Sequence, residues 1–287
     1  MKLNKKMKLV FILVAVFLIG LAVPSYSWTK RNVKEIETFY NSKLSPIIMI
    51  PGSSATENRF DGLVRKLNQD RRGAKHSLLK VKVWNNGRIT FEGKIKKNDN
   101  EPIIVIGFEN NNDGYSNIKK QAKMMNQAFE ALQNKYNFNN FKGLAHSNGG
   151  LIYTAFIENY LSDYDVKINS LMTIGTPYNF TETNIKNKSV MLADFIAAKK
   201  NIPSTLHVYS VAGTITYDSD ELVPDASVSA GKYIYQNQAK SYTEITVTGE
   251  DAQHSDLPTN DEVVELVKQH IEGQGVRKKQ KTKLEPQ

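Results

Sequence analysis

The sequence contains no cysteine, and this absence limits both its stability and its means of attachment. Without thiols the chain forms no disulfide bonds and carries no thiol-linked lipid anchor. The stability of the folded protein must therefore come from its hydrophobic core and from any bound ions. Apolar residues make up 40% of the 287 residues and charged residues 23%, as in a globular protein. The length allows one large α/β domain or two small ones.

The chain has little net positive charge outside its two ends, although its formal net charge is +9. The N-terminal segment carries Lys2, Lys5, Lys6 and Lys8 without an acidic residue, and it contributes +4. Residues 274–287 contribute another +4, which leaves +1 for the rest of the chain. A nearly neutral body predicts no nucleic-acid-binding face. We expect the basic tail to be disordered and solvated, with weak contact to an anionic cell wall or membrane as the alternative.

The N-terminus has no apolar run of the length that suits a bilayer span. Residues 9–23 form an apolar run of 15 residues, whereas a spanning helix needs about 18 or more. The run follows the lysines and precedes Ser25 and Ser27, which have the spacing of a signal peptidase site. We predict a signal peptide over residues 1–27 and a secreted or cell-surface protein beginning at Trp28. An uncleaved membrane anchor is the alternative.

Strands and helices alternate along the remaining chain, and no internal repeat is present. Short apolar segments predict strands at residues 46–50, 102–108, 141–145, 168–174, 206–212 and 244–247, and a hairpin at 78–95. Helical spacing of apolar residues covers residues 58–68, 115–136, 149–160 and 262–271. This alternation predicts one α/β domain over residues 28–273, with a mostly parallel central sheet and helices on both faces.

The motif Ala-His-Ser-Asn-Gly-Gly at residues 145–150 lies between a predicted strand and a predicted helix. A nucleophilic serine occupies such a sharp turn in the pattern G-x-S-x-G, where its neighbours must be small. Ala145 replaces the first glycine and is still small enough for the turn. We predict that Ser147 is a nucleophile; the alternative is a serine that only caps a helix.

A serine nucleophile needs a base, and the base needs an acid that orients it. In this arrangement the chain order is serine, acid, histidine. His254 lies in a polar loop directly after a predicted strand, whereas His270 lies near the end of the last helix. We therefore predict His254 as the base. Asp220, which precedes Leu-Val-Pro, is the predicted acid, with Asp218 as the second choice.

The acidic loop has an alternative interpretation as a cation site. Thr216, Asp218, Asp220 and Glu221 together could hold Ca²⁺, but their spacing matches no recognised metal loop. The sequence accordingly predicts no metal and no cofactor. Acyl transfer also requires two backbone N–H donors that bind the developing oxyanion.

The residue after the nucleophile, Asn148, is the first predicted oxyanion donor. The second is Ser53, in the Pro-Gly-Ser-Ser loop that follows the first strand of the domain. Pro51 cannot donate a backbone hydrogen bond, but the donor comes two residues later.

These segments resemble the α/β-hydrolase superfamily, and more closely its DUF915 family of exported bacterial hydrolases. The segments that carry the resemblance are residues 50–53, 108–111, 145–150, 173–179, 219–224 and 254–257, in the order of the family. The resemblance covers about residues 46–270. Pro51, Ala145 and Glu221 depart from the family pattern, which has His, Gly and Gly there, and none of the three is a proposed catalytic residue. The resemblance implies ester or acyl hydrolysis and supplies no natural substrate.

The sequence thus predicts a secreted serine hydrolase that acts on a small-molecule acyl ester. A peptidase, thioesterase or acyltransferase would use the same groups, and a non-catalytic cell-surface binding module is the alternative from another class. We also expect residues 178–200 to form a flap or one wall of an acyl pocket, with Phe195 in its apolar part. Ordinary helix-to-sheet packing is the alternative for this segment. We expect short or medium acyl groups.

Overall fold

The structure of the chain is a computed structural model that describes residues 4–69, 71 and 75–272. The predicted tail, residues 274–287, lies outside the described residues, as do the first three residues of the predicted signal peptide. The chain divides into two compact units, Met1–Ser42 and Lys43–Gln287.

The first unit consists of one helix, α1 (Lys5–Tyr40), with Pro24 inside it. None of its described residues is buried. Within the part of the chain that the structure describes, α1 is the one helix long and apolar enough to cross a membrane, a test that a signal sequence also passes. The helix continues through the predicted cleavage position between Ser27 and Trp28, so the segment is compatible with either a signal peptide or an anchor.

The second unit is built on one sheet of eight strands. The strands are β1 (Ile47–Ile50), β2 (Leu78–Val83), β3 (Ile89–Gly93), β4 (Ile103–Phe108), β5 (Asn140–His146), β6 (Lys167–Ile174), β7 (His207–Thr214) and β8 (Ser241–Thr248). Their order in the sheet is β3-β2-β4-β1-β5-β6-β7-β8. Every neighbouring pair is parallel except β2 and β3, which form the predicted hairpin. The prediction of a mostly parallel sheet is confirmed.

Helices cover both faces of this sheet, as predicted. They are α2 (Asp61–Gln69), α3 (Tyr115–Tyr136), α4 (Asn148–Asn159), α5 (Val190–Ala198), α6 (Asp225–Ser229), α7 (Lys232–Tyr235) and α8 (Asp261–His270). Successive strand residues point to opposite faces. In β1, Ile48 and Ile50 therefore pack in the core that contains α3 and α4, whereas Ile47 and Met49 pack in the core that contains α2 and α8. Parallel strands covered on both faces read as continuous apolar segments, which made β1 and β4 recognisable in the sequence.

Candidate active site

Ser147 lies in the sharp turn that connects β5 to α4. Its backbone has φ 56° and ψ −134°, a conformation that residues other than glycine rarely adopt. The turn brings the chain so close to β1 that a Cβ atom on Gly149 would lie 2.2 Å from the Ile50 carbonyl oxygen. A Cβ atom on Gly52 would lie 2.6 Å from the Ser147 Cβ. Glycine at both positions lets the Ser147 hydroxyl stand at the carboxyl edge of the sheet.

Two further predicted residues, His254 and Asp220, form a hydrogen-bond series with this hydroxyl. The His254 Nε2 lies 2.9 Å from the Ser147 Oγ, and the His254 Nδ1 lies 2.6 Å from the Asp220 Oδ2. Both Asp220 and His254 are buried. A carboxylate can only accept a hydrogen bond, so Nδ1 carries the imidazole proton. Nε2 is then left as the acceptor for the Ser147 hydroxyl.

The Asp220 carboxylate is fixed by its own loop after β7. Its Oδ1 accepts hydrogen bonds from the backbone N–H groups of Leu222 and Val223, at 3.1 and 2.7 Å. Glu221, which lies between Asp220 and Leu222, has φ 74°, which explains why glycine suits this position. The Glu221 carboxylate accepts a hydrogen bond of 2.6 Å from the Gln253 amide, and this bond ties the Asp220 loop to the His254 loop.

The structure does not bring the alternative residues to Ser147. Asp218 is exposed, and its backbone carbonyl accepts a hydrogen bond from the Asp225 N–H. His270 is stacked on Tyr209, with ring centroids 4.3 Å apart, and partial burial lowers its pKa. Throughout the described ranges, no group of three His, Asp or Glu side chains is arranged to hold a metal ion.

The two predicted oxyanion donors, Ser53 and Asn148, lie in the loop after β1 and at the start of α4. Neither the Ser53 N–H nor the Asn148 N–H donates a hydrogen bond to another described residue. The Asn148 side chain links the two loops, because its Nδ2 donates to the Ser53 Oγ at 2.5 Å and to the Asp113 Oδ1 at 2.6 Å. Asp113 is a site residue that the sequence analysis missed. Its signal was its place in the polar loop that follows the carboxyl end of β4.

His146 is a second residue that the sequence analysis did not assign. Its Nε2 donates to the His254 carbonyl oxygen at 2.9 Å, and the two rings lie 4.7 Å apart. The Nδ1 is buried and has no hydrogen-bond partner among the residues that the structure describes. Burial holds the pKa of His146 well below its usual range, and the charges of His254 and Arg59 act in the same direction. Neutral His146 thus holds the His254 backbone in place.

An open cavity of about 820 Å³ lies over Ser147 and His254. Phe180 and Thr181, from the segment that we expected to form a flap, line this cavity. The expectation for Phe195 was wrong: its side chain is buried in the core, edge to face with the Tyr115 ring at 6.4 Å. Residues 190–198 form α5, and its buried residues Met191, Leu192 and Phe195 belong to the core beside α3 and α4 and do not line the cavity.

Comparison with known proteins identifies the family. The family model for α/β hydrolases of unknown function, DUF915, matches residues 34–274. A protein of Lactobacillus plantarum WCFS1, provisionally named a cell surface hydrolase, is 50% identical with a TM-score of 0.73, and the match covers 79% of this chain and 91% of that one. The lin2722 gene product of Listeria innocua is 29% identical with a TM-score of 0.75, over 82% and 96% of the two chains. No curated protein matches the chain. The chain belongs to the DUF915 family of α/β hydrolases.

Proposed function

We propose that this protein is an exported serine hydrolase that cleaves an ester or a related acyl bond of a small molecule through an acyl-enzyme. The observation that carries the proposal is the continuous hydrogen-bond series from Asp220 through His254 to Ser147. Membership of an α/β-hydrolase family supports a hydrolytic reaction. The cavity over the serine gives an acyl substrate access to the hydroxyl.

In the first half of the reaction, His254 Nε2 takes the proton of the Ser147 hydroxyl while Oγ attacks the acyl carbonyl carbon. Asp220 keeps the proton of His254 on Nδ1 and stabilises the imidazolium that forms. The N–H groups of Ser53 and Asn148 bind the oxyanion, and Asn148 also lies at the N-terminus of α4, where negative charge is favoured. His254 then protonates the leaving alcohol, and the acyl group remains on Ser147.

In the second half, water attacks the acyl-enzyme, and His254 takes a proton from that water. The same N–H groups bind the second oxyanion. Collapse of this intermediate releases the carboxylic acid and restores the Ser147 hydroxyl, so each proton moved by His254 is returned within one cycle.

Export is the second part of the proposal. The apolar segment within α1 is exposed along its length, as a signal sequence or an anchor is before it meets a membrane. The Lactobacillus relative is named as a cell surface protein. We assign residues 1–27 as the signal peptide that is removed on export.

Covalent labelling with a fluorophosphonate probe tests the catalytic proposal. We expect the protein to be labelled and to hydrolyse 4-nitrophenyl esters, and Ser147→Ala to abolish both, with a loss of about 10⁴-fold or more in kcat. Ser255→Ala is the matched control, because Ser255 also lines the cavity but its hydroxyl forms no hydrogen bond with a histidine in the described chain. A Ser147→Ala protein that keeps its labelling would refute the assignment. A folded wild-type protein that is not labelled would favour a binding module.

A further inference from the structure

One charged group on the cavity wall has no part in the proposed chemistry. Arg59, in the loop between β1 and α2, lines the cavity together with Ser147 and His254. It is the only lysine or arginine among the described residues that form this wall. A guanidinium group carries five N–H donors and stays charged at every physiological pH.

Most of these donors are unused in the structure. Arg59 Nη2 donates to the Ser255 carbonyl oxygen at 2.6 Å, and no other described residue accepts a hydrogen bond from this side chain. No carboxylate of the described chain lies within 4.0 Å of it; Asp256 attracts the charge only from farther away. Partial burial lowers the pKa of Arg59, since removing the charge from water is not offset by an ion pair.

Arg59 forms no ion pair with an acidic residue among the described residues that line the cavity. Asp113 is the only acidic residue among the described residues lining it. Its Oδ1 already accepts hydrogen bonds from the Asn148 Nδ2 and the Gly114 N–H, both at 2.6 Å. These donors are neutral, so Asp113 adds a negative charge to the wall, but no ion pair joins it to Arg59. The Arg59 guanidinium is therefore still open to an anionic group.

We propose that Arg59 is a specificity residue that binds an anionic group, a carboxylate or a phosphate, on the substrate of this hydrolase. The inference rests on the proposed function and narrows its substrate class to esters with a negative charge away from the scissile bond. A planar guanidinium fork matches the two oxygens of such a group. Because the anion is remote from the reacting carbon, it contributes equally to binding of the substrate and of the transition state, so its effect falls on KM.

The test compares two matched pairs of esters. In the first pair the charge is on the acyl side: 4-nitrophenyl hydrogen glutarate and its neutral carboxamide. In the second pair it is on the alcohol side: 4-carboxyphenyl butyrate and its neutral carboxamide. We expect kcat/KM to favour the anionic ester at least about tenfold in one pair, since a hydrogen bond to a charged group is worth about one decade or more. Arg59→Gln should bring that ratio close to one through KM.

Arg65→Gln is the control, because it removes the same charge from an exposed position of α2 outside the cavity. This variant should keep the preference. A wild-type ratio near one in both pairs overturns the proposal. The proposal is also overturned if Arg59→Gln lowers kcat equally for the anionic and the neutral esters. That result would mean that Arg59 positions the His254 loop through its hydrogen bond to the Ser255 carbonyl.

A binding measurement separates failure of this inference from failure of the proposed function. Calorimetric titration of the Ser147→Ala protein with the same anionic esters and carboxamides requires no turnover. The anion site is supported if the Ser147→Ala protein binds an anionic ester more tightly than its carboxamide and the double variant Ser147→Ala/Arg59→Gln does not. This holds even if the wild-type protein hydrolyses no ester. Equal binding of charged and neutral members overturns the inference, whatever the hydrolytic activity is.

Discussion

Glu158 in α4 is expected to make the stability of this protein fall as the pH rises. Its side chain is 3% exposed, and its Oε1 has no hydrogen-bond partner among the described residues. Burial raises its pKa from the usual 4.5 to about 9. At pH 7 the carboxyl is therefore protonated in the folded protein and ionised in the unfolded chain.

The size of the effect follows from the two pKa values. Below pH 4.5 both states are protonated, and the buried carboxyl adds no pH-dependent cost. Between pH 4.5 and 9 only the unfolded chain ionises, so each pH unit lowers the free energy of unfolding by about 1.4 kcal/mol. The loss reaches about 3 kcal/mol at pH 7 and about 6 kcal/mol at pH 9, as upper limits.

Glu158→Gln removes this titration while nearly keeping the shape of the side chain. Urea unfolding of both proteins at pH 4.5, 6, 7 and 8 gives the difference in unfolding free energy at each pH. We expect the difference to shift in favour of the variant by about 1.4 kcal/mol per pH unit, whatever offset the buried amide adds. Glu130→Gln, at an exposed position of α3, should show no such slope. Parallel curves for wild type and Glu158→Gln would refute the reasoning.

Three further outcomes are expected. Asp220→Asn should lower kcat by about 10⁴-fold, because an amide cannot hold the proton of His254 on Nδ1. Asp218→Asn should have little effect on kcat, since the Asp218 side chain is exposed. If ester assays give the reverse ranking of the two variants, Asp218 is the acid. Mass spectrometry of the exported protein should find Trp28 at the N-terminus, and a chain that retains residues 1–27 in the membrane would show an anchor. Phe195→Ala should lower the free energy of unfolding by about 3–5 kcal/mol in denaturant titrations without changing the preferred acyl length. A changed acyl-length preference would show that the Phe195 side chain lines the cavity.

The sequence predicted those elements whose pattern is local. Residues 115–136 were predicted as a helix and form α3 with the same bounds, because a long amphipathic stripe marks both ends. The strand predicted at residues 244–247 is longer in the structure, Ser241–Thr248, since half of an edge strand faces solvent and shows no apolar run. The short helices α6 and α7 were not predicted, because one turn of helix carries no periodic signal.

The same distinction between local and long-range patterns applies to the residues of the candidate site. Ser147, Asp220 and His254 could be selected because each lies in the segment that follows a strand, and the carboxyl ends of parallel strands lie at one edge of the sheet. The position of Asp113 in the polar loop after β4 was visible in the sequence, but no role could be assigned to Asp113 or Arg59. Those roles depend on side-chain contacts with Asn148 and with the Ser255 carbonyl, across long stretches of chain. Contacts of that kind leave no trace in spacing or composition.

The backbone conformation of Ser147 has a consequence for engineering this protein. A residue other than glycine at φ 56° costs on the order of 1–3 kcal/mol, and glycine removes that cost at the same position. Ser147→Gly is thus expected to be more stable than the wild type and to lack the proposed nucleophile. A library screened for heat resistance alone would enrich such inactive variants. Directed evolution of this fold toward thermostability therefore requires a selection that scores turnover in every round.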